Sequence, residues 1–149
     1  MRKTWMVLAV IEVGAALIAA GCGGDDDETT TAALSKQEFI TQADAICTRG
    51  DKKLDRAGSE TFGKERPSKQ EVEQFASDTL VPNIQGQIDD VRALTPPQGD
   101  EEQVNAFLDS AQRALDEIEQ DPSLLSQGGD PFGETSKLGK EFGFEECAS

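Results

Sequence analysis

The chain has no histidine and no tyrosine, and its only tryptophan, Trp5, stands close to the start. Without imidazole there is no Ser-His-Asp triad, no histidine general base and no histidine metal ligand. Three cysteines, at 22, 47 and 147, are too few to supply the four soft ligands of a structural zinc site. Basic side chains are also scarce: 14 Lys and Arg stand against 29 Asp and Glu, a net charge of −15 at pH 7. Such a surface repels phosphate backbones and excludes nucleic acid as an expected partner. It equally repels anionic lipid headgroups. The charge suits solubility and spacing from a membrane. A sharper reading is attraction to a cationic partner or to divalent ions.

What is present is concentrated first at the N-terminus. Arg2 and Lys3 precede an apolar body from Thr4 to Ala20, followed by Gly21 and Cys22. A basic start, an apolar middle and small residues form the layout of an export signal. Ala19-Ala20-Gly21-Cys22 resembles the lipobox of bacterial lipoproteins, with Ala19 where Leu is the commoner choice. That resemblance implies lipid attachment at Cys22 and cleavage before it, so that residues 1–21 are a signal peptide. Glu12 lies inside the apolar body, and a central acid costs on the order of 2.5–3.5 kcal/mol for insertion. Two other outcomes therefore stay open: an uncleaved anchor, or cleavage by the ordinary signal peptidase to release a soluble protein. All three put the remaining chain outside the cytoplasm, because the basic end stays inside.

Removing residues 1–21 takes away Arg2, Lys3 and Glu12. The 128 residues from Cys22 then carry 12 basic and 28 acidic side chains, a net charge of −16. That length suits one domain with a real core. Residues 22–33 read as a flexible acidic tether: Gly23-Gly24, then Asp25-Asp26-Asp27-Glu28, then Thr and Ala with no apolar period. The Asp run lacks the spaced ligands and turn glycine of a calcium loop. Two acyl chains on Cys22 would give a stable anchor where one is marginal.

The segment 34–149 reads as an all-α domain, a single small bundle of about four helices. Ser35-Lys36-Gln37-Glu38 is a capping box, with Leu34 and Phe39 placed as a hydrophobic staple. Phe39, Ala43, Ile46, Cys47 and Leu54 follow at helical spacing, and the helix should stop near Ala57-Gly58. Ser68-Lys69-Gln70-Glu71 repeats the cap after Pro67, and an apolar face then runs through Val72, Phe75, Leu80, Ile84, Ile88 and Val91. Pro82 predicts a kink or two abutting helices there.

Leu94 to Gly99, with Pro96-Pro97, is a hard turn. Asp100 is placed to cap the next helix, whose face is Val104, Phe107, Leu108, Ala111, Leu115 and Ile118, ending before Pro122. Ser123 to Gly129 is a loop with one turn around Leu124-Leu125. The last helix is predicted to open at Asp130-Pro131 and to stop at Gly143, with Phe144 packing back. An up-down bundle accommodates these four helices.

Cysteine arithmetic supports an exported chain. With Cys22 lipidated, Cys47 and Cys147 remain to pair, and both are expected near apolar residues. A redox-active thiol is the competing reading, but the chain has no C-x-x-C and no His to lower a thiol pKa. Phe39-Ile40-Thr41-Gln42-Ala43-Asp44-Ala45-Ile46-Cys47, Leu94-Thr95-Pro96-Pro97 and Gly143-Phe144-Glu145-Glu146-Cys147 together resemble small exported helical proteins of high-GC Gram-positive (actinobacterial) bacteria, mostly lipoproteins. The resemblance spans Leu34 to Cys147. It implies a helical fold and a Cys47–Cys147 bond, and it offers no catalytic residue to carry over.

Three other clusters invite chemistry. Ser35-Lys36, Ser68-Lys69 and Ser136-Lys137 set a hydroxyl beside an amine, but adjacent helical side chains do not face each other. Asp116, Glu117, Glu119 and Asp121 crowd the end of the third helix, where a solvated face competes with acid–base work or a bound calcium ion. Arg49, Lys52, Lys53 and Arg56 form the strongest basic cluster. They either neutralise acidic neighbours or dock an anionic envelope polymer.

These features point to a lipid-anchored extracytoplasmic binding or envelope-interaction module, whose partners are the membrane and a cell-envelope protein or polymer. No catalytic residue, metal site or cofactor is assigned, and an enzyme is not expected. A carrier of a small apolar ligand between helices is the first alternative and predicts a cavity. A soluble secreted protein, or an enzyme using converging carboxylates, is the second.

Overall fold

The computed structural model describes residues 34–64 and 66–149. The expected signal segment 1–21, the expected tether 22–33 and Cys22, the expected lipid-attachment residue, lie outside them. Among the described residues every regular element is helical: α1 (Lys36–Phe62), α2 (Lys69–Phe75), a π-helical segment (Ala76–Leu80), α3 (Val81–Arg92), α4 (Glu101–Gln120), α5 (Ser123–Ser126) and α6 (Gly133–Phe142). None is long and apolar enough to cross a membrane.

Both S-K-Q-E tetrapeptides form complete capping boxes. Ser35 accepts from the Glu38 N–H while Glu38 accepts from the Ser35 N–H, and Ser68 and Glu71 repeat the exchange. Each box satisfies two otherwise orphaned donors. The hydroxyl bonds hold both glutamates below their ordinary carboxylate pKa.

α1 outruns its expected stop. It passes through Gly58 and ends at Gly63, which has φ 60° and donates its N–H to the Ser59 carbonyl. A glycine inside a helix is a modest cost, and here it is met by packing of Phe62 against Phe75 of α2, with ring centroids 5.0 Å apart. The expected break at Pro82 takes the form of a π turn. Proline has no N–H to continue the ladder. The helix widens just before it, and the Val81 N–H reaches back five residues to Ala76.

Two caps differ from expectation. Asp100 makes no capping bond to α4; its carboxylate lies 3.6 Å from Lys36 Nζ, and Glu101 accepts the Gly99 N–H instead. α6 starts at Gly133 rather than at Asp130-Pro131. Residues 130–133 form a separate turn, with the Gly133 N–H bonded to the Asp130 carbonyl. Gly143 is the expected stop, at φ 113°. Phe144 folds back and is buried.

α3 packs on α1 and on α4, and α4 packs on α6. α4 lies centrally and buries Val104, Phe107, Leu108, Ala111, Leu115 and Ile118, as its spacing requires. Phe39 of α1 has no exposed surface and meets Phe142 edge-on at 6.0 Å and Phe144 at 6.2 Å. Phe107 closes this cluster, 4.9 Å from Phe144. Lys36 lies 4.1 Å from the centroid of Phe142 and caps the cluster with a cation–π contact. Gly139 brings α6 close to its neighbours: a Cβ there would stand 2.9 Å from Ala148 Cβ and 3.2 Å from the Phe107 ring.

Candidate binding site

Beyond Gly143 the chain returns across α1 and is fastened twice. Cys147 pairs with Cys47 at disulfide distance, with Cα atoms 5.2 Å apart. One turn earlier on α1, the Asp44 carboxylate accepts the backbone N–H groups of Glu145, Glu146 and Cys147 at 3.2, 3.1 and 3.1 Å. A carboxylate receiving several backbone donors is a strong, charge-assisted contact.

This crossing closes one side of a half-open cleft of about 160 Å³. α1 contributes Cys47 and Asp51, α3 contributes Ile84, Gln87 and Ile88, α4 contributes Phe107 and Leu108, and Phe132 and Ser136 come from the last turn and α6. The walls are mainly apolar, with Ile84 and Phe132 only half-buried and open to it. Gly50 makes the α1–α3 wall close-fitting, because any Cβ there would overlap the Gln87 side chain. Gln87 is oriented by donating to Asn83 Oδ1 at 2.7 Å. Behind the wall, Ser110 and Thr135 share a buried hydroxyl pair at 3.0 Å between α4 and α6.

Asp51 and Glu146 are the acidic groups lining the cleft. Partial burial raises the Asp51 pKa above its ordinary value, and the nearby charges of Asp55 and Glu146 raise it further. Among the described residues no lysine or arginine lines the cleft. A second depression, of about 400 Å³, lies between α4 and α6 beside Glu102, Leu138 and Glu141. It is walled by two helices, whereas the cleft draws its walls from α1, α3, α4, α6 and the segment after Gly143.

The other candidates stay apart from the cleft. Ser35 and Ser68 serve as caps, and of the three Ser-Lys pairs only Ser136 reaches the cleft, with Lys137 exposed. Asp116, Glu117, Glu119 and Asp121 are all exposed. Asp116 accepts from Gln112, and Asp121 accepts the N–H and hydroxyl of Ser123 at the start of α5. No group of three or more metal-ligating side chains gathers among the described residues. Arg49, Lys52, Lys53 and Arg56 are exposed, and neither ion pair among the described residues involves them. The neutralising role expected of them is therefore not seen as direct pairing.

Sequence reasoning missed Asp44 and Asp51 as members of the site. The signal was present: 44, 47 and 51 follow helical spacing, so both acids share the face of the buried cysteine. No protein-family model matches the chain, and no curated protein or solved structure matches it.

Proposed function

We propose that this chain is a lipid-anchored extracytoplasmic binding protein that receives a small, largely apolar group in the cleft beside the disulfide. The observation that carries the reading is the cleft itself, walled by four elements and apolar over most of its surface. A dry cavity of about 150 Å³ takes one benzene ring, so the guest is a small molecule or one end of a larger one. The lipobox-like Ala19-Ala20-Gly21-Cys22 and the pairing of the other two cysteines support export and anchoring. The acyl chains would do the anchoring, since the acidic domain is repelled by anionic headgroups.

Two measurements test this. Native mass of protein extracted from its membranes is expected to start at Cys22, to carry a diacylglyceryl group, and to lack two hydrogens. A mass that begins at Met1, or an unmodified chain in the medium, would remove the lipid anchor. For the cleft, toluene should raise the melting temperature of the full chain in nanodiscs, and Ser136→Trp should abolish the rise by filling the mouth. No toluene effect on either protein would end the binding reading.

A second reading rests on the basic stripe. Arg49, Lys52, Lys53 and Arg56 follow i, i+3, i+4, i+7 spacing on one exposed face of α1. That face suits an anionic envelope polymer. Reversing the four charges should abolish pull-down by a polyanionic resin; retained capture by a folded variant would eliminate it.

A further inference from the structure

The cleft has a charge as well as a shape. Its apolar floor is formed by α3 and α4, while Asp51 and Glu146 enter from α1 and from the segment after Gly143. These two acids come from chain positions 95 residues apart and are brought to one opening by the Cys47–Cys147 crossing. The other polar side chains lining it are uncharged: Gln87 from α3, Thr135 and Ser136 from α6, and Ser149. Gln87 gives one Nε2–H to Asn83 Oδ1, and Thr135 is paired with Ser110. Neither neutralises a carboxylate.

Arg49, Lys52 and Lys53 neighbour Asp51 in sequence, yet none of them lines the cleft or pairs with a carboxylate among the described residues. An apolar cleft with uncompensated negative charge at its opening selects guests by charge complementarity. A neutral guest would gain only the apolar walls, and an anion would be repelled.

We infer that the occupant of the cleft is a small organic cation, an ammonium or amine borne on an apolar body, with the body against Ile84, Ile88 and Phe132 and the charge between Asp51 and Glu146. The inference rests on the binding reading above and names the ligand class for that same site. Partial burial raises the Asp51 pKa, and the like charges of Asp55 and Glu146 raise it further; a guest's positive charge between the acids relieves that like-charge part. Affinity for a cation is therefore expected to fall as acid protonates Asp51, starting at a higher pH than an ordinary aspartate would set. Affinity for a neutral guest stays flat over the same range.

The test compares benzylamine, a cation at neutral pH, with benzyl alcohol, its neutral counterpart of nearly the same shape. Both are titrated calorimetrically into the full chain in nanodiscs of zwitterionic lipid. Benzylamine should bind roughly tenfold more tightly, the scale of a partly exposed charge contact in an apolar site. Asp51→Asn should erase that preference and leave benzyl alcohol unchanged. Asp109→Asn removes the same charge from the exposed face of α4 and should keep the preference. Because Asp51 sits among like charges, its neutralisation is not expected to unfold the protein.

Equal binding of the two probes would overturn the cation inference and leave the cleft a neutral apolar site. A preference that falls equally in Asp51→Asn and Asp109→Asn would overturn it too, because attraction would then come from overall charge. Binding of neither probe would overturn the inference together with the binding reading.

Discussion

The two ends of α1 are built to different standards. Near its start, Phe39 and Ala43 have no exposed surface, Phe142 and Phe144 pack on Phe39 with Phe107 against Phe144, and a disulfide and a triple N–H contact hold the returning chain. Near its end, Phe62 and Phe75 are only half-buried, and α2 and α5 contribute no fully buried side chain. There, a single half-buried link, Ser126 to Glu73 at 3.3 Å, joins α5 to α2 by side chains. The contrast teaches where the fold is determined: the cross-linked end positions the cleft, and the far end is helix held by caps and a satellite cluster.

Truncation should expose this contrast most strongly. Phe39→Ala is expected to cost about 3–5 kcal/mol and Phe75→Ala roughly half of that or less, by urea unfolding. Equal losses would mean that the satellite cluster is as tightly organised as the core. Next, replacing both Cys47 and Cys147 by Ala should cost about 2–5 kcal/mol, since the bond closes a loop spanning 100 residues of sequence separation. Amides of α4 should then lose hydrogen-exchange protection while those of α2 change little.

A third comparison uses one substitution with opposite signs. Gly139→Ala forces a Cβ against Ala148 and Phe107 and should destabilise by about 1–3 kcal/mol. Gly58→Ala meets only Phe75 at 3.9 Å and Phe62 at 4.0 Å, both ordinary contacts, and should stabilise by about 0.5–1 kcal/mol through helix propensity. Thermal unfolding of the pair settles the sign.

The smallest effect concerns Asp51. Its pKa is raised in the folded state, so the native protein holds its proton more firmly than the unfolded chain. Its contribution is fully favourable below the unfolded pKa and is lost as pH rises through the folded one. Asp51→Asn should therefore be more stable than the parent at neutral pH, by less than about 1 kcal/mol given its exposure, and the advantage should vanish in acid.

The helices were legible because their signals are local. Two capping boxes, the turn at Pro96-Pro97, the stripe from Val104 to Ile118 and the stop at Gly143 all depend on residues within a few positions of each other. At two of the misread boundaries, Gly58 and Asp100, tertiary contacts outweighed a local preference, and at Asp130 a local turn closed by the Gly133 N–H precedes the helix. Phe62 on Phe75 carries α1 past Gly58, and Lys36 draws Asp100 away from its cap. The cleft was less legible, because it joins residues from Cys47 to Ser149 and an acid's partner cannot be read from its own neighbourhood. What could have been read was the phase of Asp44 and Asp51 with Cys47.

The Asp44 contact bears on how the cross-link arises. Asp44 lies three residues before Cys47 on α1 and holds the amide of Cys147 itself at 3.1 Å. A carboxylate that holds the Cys147 amide beside α1 raises the effective concentration of one sulfur at the other. Asp44→Asn should slow disulfide closure of the reduced chain, followed by thiol trapping, even where the finished protein is nearly as stable.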